Sequence, residues 1–118
     1  MLALLFVMIS CVLTPCVLTH PVVLMHGILS SRNELGKVQT WLEERNFTVF
    51  NIEIGTGKAD SIFKDMIWQV KQLCTHIYSN QELKWGFNFI AVSQGGLLAR
   101  GYVEMCNHYP VKNLITWG

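Results

Sequence analysis

Short, unbroken apolar runs alternate along this chain with longer stretches in which apolar residues recur every three or four positions. Pro21-Val22-Val23-Leu24-Met25 ends at His26-Gly27, the pattern of a parallel strand buried on both faces that enters a loop. After the polar loop around Ser30, Ser31 and Arg32, residues Leu35, Val38, Trp41 and Leu42 fall at helical spacing. Glu43, Glu44 and Arg45 lie on the outer face, and the helix is expected to end near Asn46. Phe47-Thr48-Val49-Phe50-Asn51-Ile52-Glu53-Ile54 is rich in β-branched and aromatic residues and closes at Gly55, which predicts a second strand. Asp60 or Ser61 can cap the next helix, where Phe63, Met66, Ile67, Val70, Leu73, Cys74 and Ile77 form one apolar face. Residues 86–92 predict a third strand, Leu97, Leu98, Tyr102, Val103 and Cys106 a further helix, and Asn113-Leu114-Ile115-Thr116-Trp117 a fourth strand. This β-α-β alternation defines an α/β chain whose parallel sheet carries helices on both faces.

Residues 1–19 stand apart from that pattern. They hold no charged side chain, have an apolar centre from Leu2 to Ile9, and turn polar at Ser10, Cys11, Thr14, Pro15 and Cys16. The segment reads as a secretory signal peptide cleaved near Cys16 to Thr19, with no stable membrane span expected afterwards. Residues 20–118 then form one domain or part of one. Entry into the secretory pathway makes Asn46-Phe47-Thr48 a glycosylation candidate at Asn46. Of four cysteines, Cys74 and Cys106 remain, 32 positions apart and on two different predicted helices. Spacing alone leaves a disulfide and a pair of buried thiols equally open.

Nine Lys and Arg balance eight Asp and Glu, and no basic stripe interleaves with aromatics, so nucleic-acid capture has no support. No C-x-x-C pair or His/Cys cluster suggests a metal. Gly55-Thr56-Gly57-Lys58-Ala59 has glycines and a lysine after a strand, but its spacing is not that of a phosphate loop and a turn is the better reading.

The chemistry is concentrated at Ala91-Val92-Ser93-Gln94-Gly95-Gly96, placed between a strand and a helix. A serine on such a turn projects its hydroxyl above the sheet, and small neighbours let strand and helix approach closely. Here Ala91 replaces the first glycine of the usual G-x-S-x-G pattern, a difference of one methyl group. His26-Gly27-Ile28 follows the first strand, where a second loop can converge on the serine. The backbone N–H groups of Ile28 and Gln94 are therefore the candidate oxyanion donors, each worth about 3 kcal/mol in such sites. His26, in a loop before glycine, reads as structural, and His20 and His76 have weaker claims. His108 lies 15 positions after Ser93 along a helix rising about 1.5 Å per residue, so it sits roughly 20 Å away and cannot act as base.

With His20-Pro21-Val22-Val23-Leu24-Met25-His26-Gly27, Glu53-Ile54-Gly55, the Ser93-Gln94-Gly95-Gly96 elbow and Asn113-Leu114-Ile115 in place, the chain resembles the palmitoyl-protein thioesterases, lysosomal hydrolases of the α/β-hydrolase fold. The resemblance implies Ser93 as acyl-accepting nucleophile, Ile28 and Gln94 as oxyanion donors, and a Cys74–Cys106 bridge. It further implies no cofactor, a fatty-acylated protein or lipid thioester as substrate, and residence in the lysosome or outside the cell. The family's triad Asp and His come from later segments, so residues 20–118 are expected to be the N-terminal part of an incomplete α/β-hydrolase fold, inactive alone. A lipase or carboxylesterase, or a non-catalytic truncated product, are the rival readings.

Overall fold

The computed structural model describes residues 19–118, and the expected leader lies almost wholly outside them. Four parallel strands form one sheet: β1 (Val22–Met25), β2 (Val49–Ile52), β3 (Phe87–Val92) and β4 (Val111–Trp117), in the order β2-β1-β3-β4. The helices are α1 (Gly36–Glu43), α2 (Lys58–Phe63), α3 (Met66–Tyr78) and α4 (Gln94–Met105), with 3-10 turns at Arg32–Leu35 and Gln81–Leu83.

Because side chains alternate along a strand, β1 feeds two cores at once. Val23 and Met25 join Phe87, Phe89 and Ala91 of β3 beneath α3 and α4, where Leu73, Ile77, Leu98 and Tyr102 complete the larger core. Val22 and Leu24 point the other way and pack with Leu35 and Leu42, backed by Val38 of α1. Helices therefore cover both faces, as the apolar periodicity predicted. On the α1 side, Ile115 and Trp117 of the edge strand β4 are left half-exposed. Among the described residues, no helix is long and apolar enough to cross a membrane.

Two elements differ from the sequence pattern. The single helix expected through Phe63 and Met66 is broken at Lys64–Asp65. Asp65, rather than Asp60 or Ser61, caps α3, its carboxylate accepting the Trp68 N–H at 2.8 Å. The break turns Phe63 and Ile67 outward, so neither belongs to the buried face. The second strand is also shorter than 47–54. Asn51 donates from Nδ2 to the Arg32 carbonyl, and Glu53 accepts the Arg32 N–H, so side chains guard this edge of the sheet.

Cys74 of α3 and Cys106, just past α4, are joined by a disulfide with a Cα–Cα separation of 6.2 Å. It closes a loop containing β3 and the turn at Ser93. Replacing both cysteines by serine should cost about 3 kcal/mol, read as a lowered urea midpoint. Beside it, Tyr102 donates its hydroxyl to the Tyr109 carbonyl at 2.6 Å. Burial, reinforced by the neighbouring Tyr78, pushes this phenol well above the usual tyrosine range, so it remains a donor at neutral pH.

Candidate active site

β3 ends at Val92, α4 begins at Gln94, and Ser93 alone makes the turn, at φ 51° and ψ −123°. A positive φ on a residue with a Cβ costs on the order of 1–3 kcal/mol and persists only where the surroundings enforce it. Here the Ser93 N–H is tied to the Trp117 carbonyl of β4 at 2.6 Å, while its carbonyl accepts the Gly96 N–H at 2.9 Å. Ser93 is exposed, and its hydroxyl caps no backbone group of the helix it precedes.

Close approach explains the small residues. A Cβ on Gly95 would lie 2.5 Å from the His26 carbonyl oxygen and 2.7 Å from that of Met25, both backbone atoms that cannot swing aside. A Cβ on Gly27 would sit 3.1 Å from the Ser93 Cβ and 3.8 Å from its Oγ. The loop after β1 and the turn after β3 are thus in contact through their backbones, and the pairing of Met25 with Ala91 brings them to the same end of the sheet.

The donors on that loop divide sharply. The Gly27 N–H donates to Glu34 Oε2 at 3.3 Å, and the Leu29 N–H to Ser61 Oγ at 3.0 Å. Among the described residues, the Ile28 N–H between them has no partner. Leu29 itself adopts φ 60°, so this is a second constrained position facing the turn. Gln94 contributes the first N–H of α4, and its side chain donates from Nε2 to the Ser61 carbonyl at 3.1 Å.

His26 is 2% exposed. Its Nδ1 lies 2.8 Å from the Gly27 carbonyl, to which it donates, while Nε2 is buried without a partner among the described residues. It stands in the core beneath the loop, in keeping with a structural role. His20 precedes β1, His76 lies in the last turn of α3, and His108 follows α4, so none is placed on the turns flanking Ser93. Ser61 and Gln69 were not legible as part of this region. Both are buried polar residues on the side of α2 and α3 that meets the two loops. Gln69 did carry one signal, a polar side chain one turn from Met66 and Leu73 on the apolar face.

A strained, exposed serine between a parallel strand and a helix, touching the glycine loop of the neighbouring strand, is the arrangement of the α/β-hydrolases. A solved extracellular α/β-hydrolase from a Paenibacillus species shares the fold, with a TM-score of 0.69 and 20% identity over 83% of this chain and 40% of that one. The family is more specific than the fold: the model for palmitoyl protein thioesterase matches residues 21–118, and the chain belongs to that family. It is 40% identical over 101 residues to palmitoyl-protein thioesterase 3 of Dictyostelium discoideum, covering 84% of this chain and 35% of that protein. Palmitoyl-protein thioesterase 1 of Caenorhabditis elegans is 29% identical over 107 residues, covering 83% of this chain and 36% of that protein. A lysosomal thioesterase of Xenopus laevis is 26% identical over 116 residues, covering 96% and 40%. This chain thus spans 35–40% of the length of these curated relatives.

Proposed function

We propose that Ser93 is the nucleophile of a fatty-acyl thioesterase, and that residues 20–118 supply its elbow and oxyanion hole. The observation that carries this reading is the exposed, strained Ser93 set against the loop whose Ile28 N–H has no partner among the described residues, the two held together by backbone contact through Gly27 and Gly95. Ser93 Oγ attacks the thioester carbonyl and surrenders its proton to a base. The carbonyl oxygen takes the negative charge and receives the N–H groups of Ile28 and Gln94. Collapse expels the thiolate, which leaves as the thiol after protonation, and water then cleaves the acyl-serine to free fatty acid and Ser93.

The base and its carboxylate partner, on this proposal, come from outside residues 1–118, as the family resemblance implies. None of the described histidines is placed to serve. Without a base, the 118-residue chain retains only the oxyanion and binding contributions and is proposed to be inactive alone. A lipid substrate suits the surroundings: Leu29 and Phe63 are 62% and 81% exposed, and Leu97 lies exposed one turn beyond Ser93 on α4. Leu29 is bonded to Ser61, two residues before Phe63 on the same helix, and these exposed side chains are the acyl-facing surface on this proposal.

Secretory entry, residence in the lysosome or outside the cell, and a glycan on Asn46 belong to the same proposal. The disulfide suits an oxidising compartment, and Asn46 is exposed at φ 64° in the turn after α1. Paired assays on the full-length protein, with a palmitoyl thioester and the matching oxoester, test the substrate class. The thioester should be turned over at least about tenfold faster, a difference of about 1.4 kcal/mol in barrier. Equal or reversed rates would favour a lipase or carboxylesterase, and no turnover of either would favour a non-catalytic product.

A further inference from the structure

Ser61, in the middle of α2, connects more of the candidate site than any residue that would touch substrate. It is 5% exposed. Its Oγ accepts the Leu29 N–H at 3.0 Å and donates to the Lys58 carbonyl at 2.7 Å, so both its acceptor and donor roles are engaged. Its carbonyl accepts from Gln94 Nε2 at 3.1 Å. Gln69, 1% exposed on α3, donates to the Lys64 carbonyl at 2.8 Å and reaches the Ser61 carbonyl at 3.5 Å, bracing the end of α2 from beneath. One residue therefore grips both loops that carry the proposed oxyanion amides, 32 positions from one and 33 from the other.

We propose that Ser61 is a positioning residue that sets the spacing and direction of the Ile28 and Gln94 N–H groups; this rests on the reading of Ser93 as an acyl-accepting nucleophile. The loop after β1 is clamped on either side of Ile28, by Glu34 at Gly27 and by Ser61 at Leu29. Leu29 holds φ 60°, a conformation that a leucine adopts rarely, and its N–H is held by Ser61 Oγ in that conformation. Release of that bond lets residues 27–29 relax, and the Ile28 N–H turns with them. The Gln94 side chain, pinned to the Ser61 carbonyl, fixes the first residue of α4 to the same strut. Oxyanion stabilisation depends on donors aimed at the transition-state oxygen, so small displacements matter more to turnover than to substrate binding.

The test uses Ser61→Ala in the full-length enzyme. Its kcat on a palmitoyl thioester should fall about tenfold to a hundredfold while KM stays within about twofold. Affinity for a palmityl trifluoromethyl ketone, which forms a tetrahedral adduct at Ser93, should fall in parallel, whereas affinity for an unreactive palmityl ether should not change. Ser61→Thr, which retains the hydroxyl, should restore most of kcat. Amide hydrogen exchange supplies a readout independent of activity: the Leu29 N–H should exchange faster in Ser61→Ala while Leu73 and Ile77 in the core keep their protection. Unchanged kcat in an active enzyme, an unchanged Leu29 exchange rate, or equal losses of affinity for ketone and ether would each overturn the inference alone. A wild-type enzyme no more active than Ser93→Ala would instead sink the hydrolase reading, and this inference with it.

Discussion

Ser93→Ala in the full-length protein is expected to lower kcat on palmitoyl thioesters by about five to six orders of magnitude while leaving the fold intact. The magnitude follows from the proposed role: with a nucleophile removed, only oxyanion and binding effects continue to act, and the remaining members of the machinery cannot compensate. The fold should tolerate the change because Ser93 is exposed, its hydroxyl caps no backbone group, and its backbone is held by the Trp117 carbonyl and the Gly96 N–H. Unfolding free energy should shift by no more than about 0.5 kcal/mol, in line with other surface substitutions. Steady-state kinetics beside a urea melt checks both halves. A variant retaining a tenth of wild-type activity would mean that another group accepts the acyl chain.

The second large effect is structural in origin and chemical in consequence. In Gly95→Ala the new methyl would meet the carbonyl oxygens of His26 and Met25 at 2.5 and 2.7 Å, well inside van der Waals contact. Neither oxygen can rotate away, since both belong to the chain where β1 leaves the sheet. The start of α4 must then lift off the β1 loop, and we expect about 3 kcal/mol of destabilisation together with loss of fluorophosphonate labelling at Ser93. Gly36→Ala is the matching control. Its Cβ would meet nothing within 4 Å, and its φ of −57° is ordinary for alanine. That variant should be as stable as wild type or more so by up to about 1 kcal/mol, with labelling unchanged. Equal melting of the two variants would remove the packing argument for the elbow glycines.

These two residues also show why the turn could be read from the sequence while its supports could not. An elbow needs small side chains at fixed offsets from one serine, so Ala91, Ser93, Gly95 and Gly96 announce it locally. The sheet was legible for a similar reason: β1 and β3 are continuous or alternating apolar runs bounded by His26-Gly27 and by Ser93. The boundary between α2 and α3 was hidden because Phe63 and Met66 maintain a helical apolar period across Lys64 and Asp65, although Asp65 is itself a good capping residue. The end of the second strand was obscured because Glu53 and Ile54 continue its pattern past Ile52, where the Glu53 side chain accepts the Arg32 N–H; Asn51, paired with Leu24 inside β2, adds a side-chain bond to the Arg32 carbonyl. Ser61 reads as a helix cap in one dimension. Its bonds to Leu29 and Gln94 come from chain segments that only the tertiary fold brings together. The Cys74–Cys106 pairing lay between these cases, undecided by spacing and present in the structure.

The exposed apolar side chains offer a physical basis for the proposed acyl substrate. Removing large side chains such as Leu29 and Phe63 from water is worth roughly 1.5–3 kcal/mol each when burial is complete, and a fatty-acyl chain laid against them would provide part of that cover. This contribution acts on ground state and transition state alike. On the proposed function it therefore adds to substrate affinity, whereas the amides of Ile28 and Gln94 would act on turnover.

The proposed covalent step can be tested directly. The full-length protein would be mixed with a palmitoyl thioester, quenched in acid within the first turnover, digested and sequenced by tandem mass spectrometry. One palmitoyl group in oxyester linkage on Ser93 is expected, absent from Ser93→Ala. Thioester hydrolysis with no acyl group on Ser93, or with the acyl group on another residue, would contradict it.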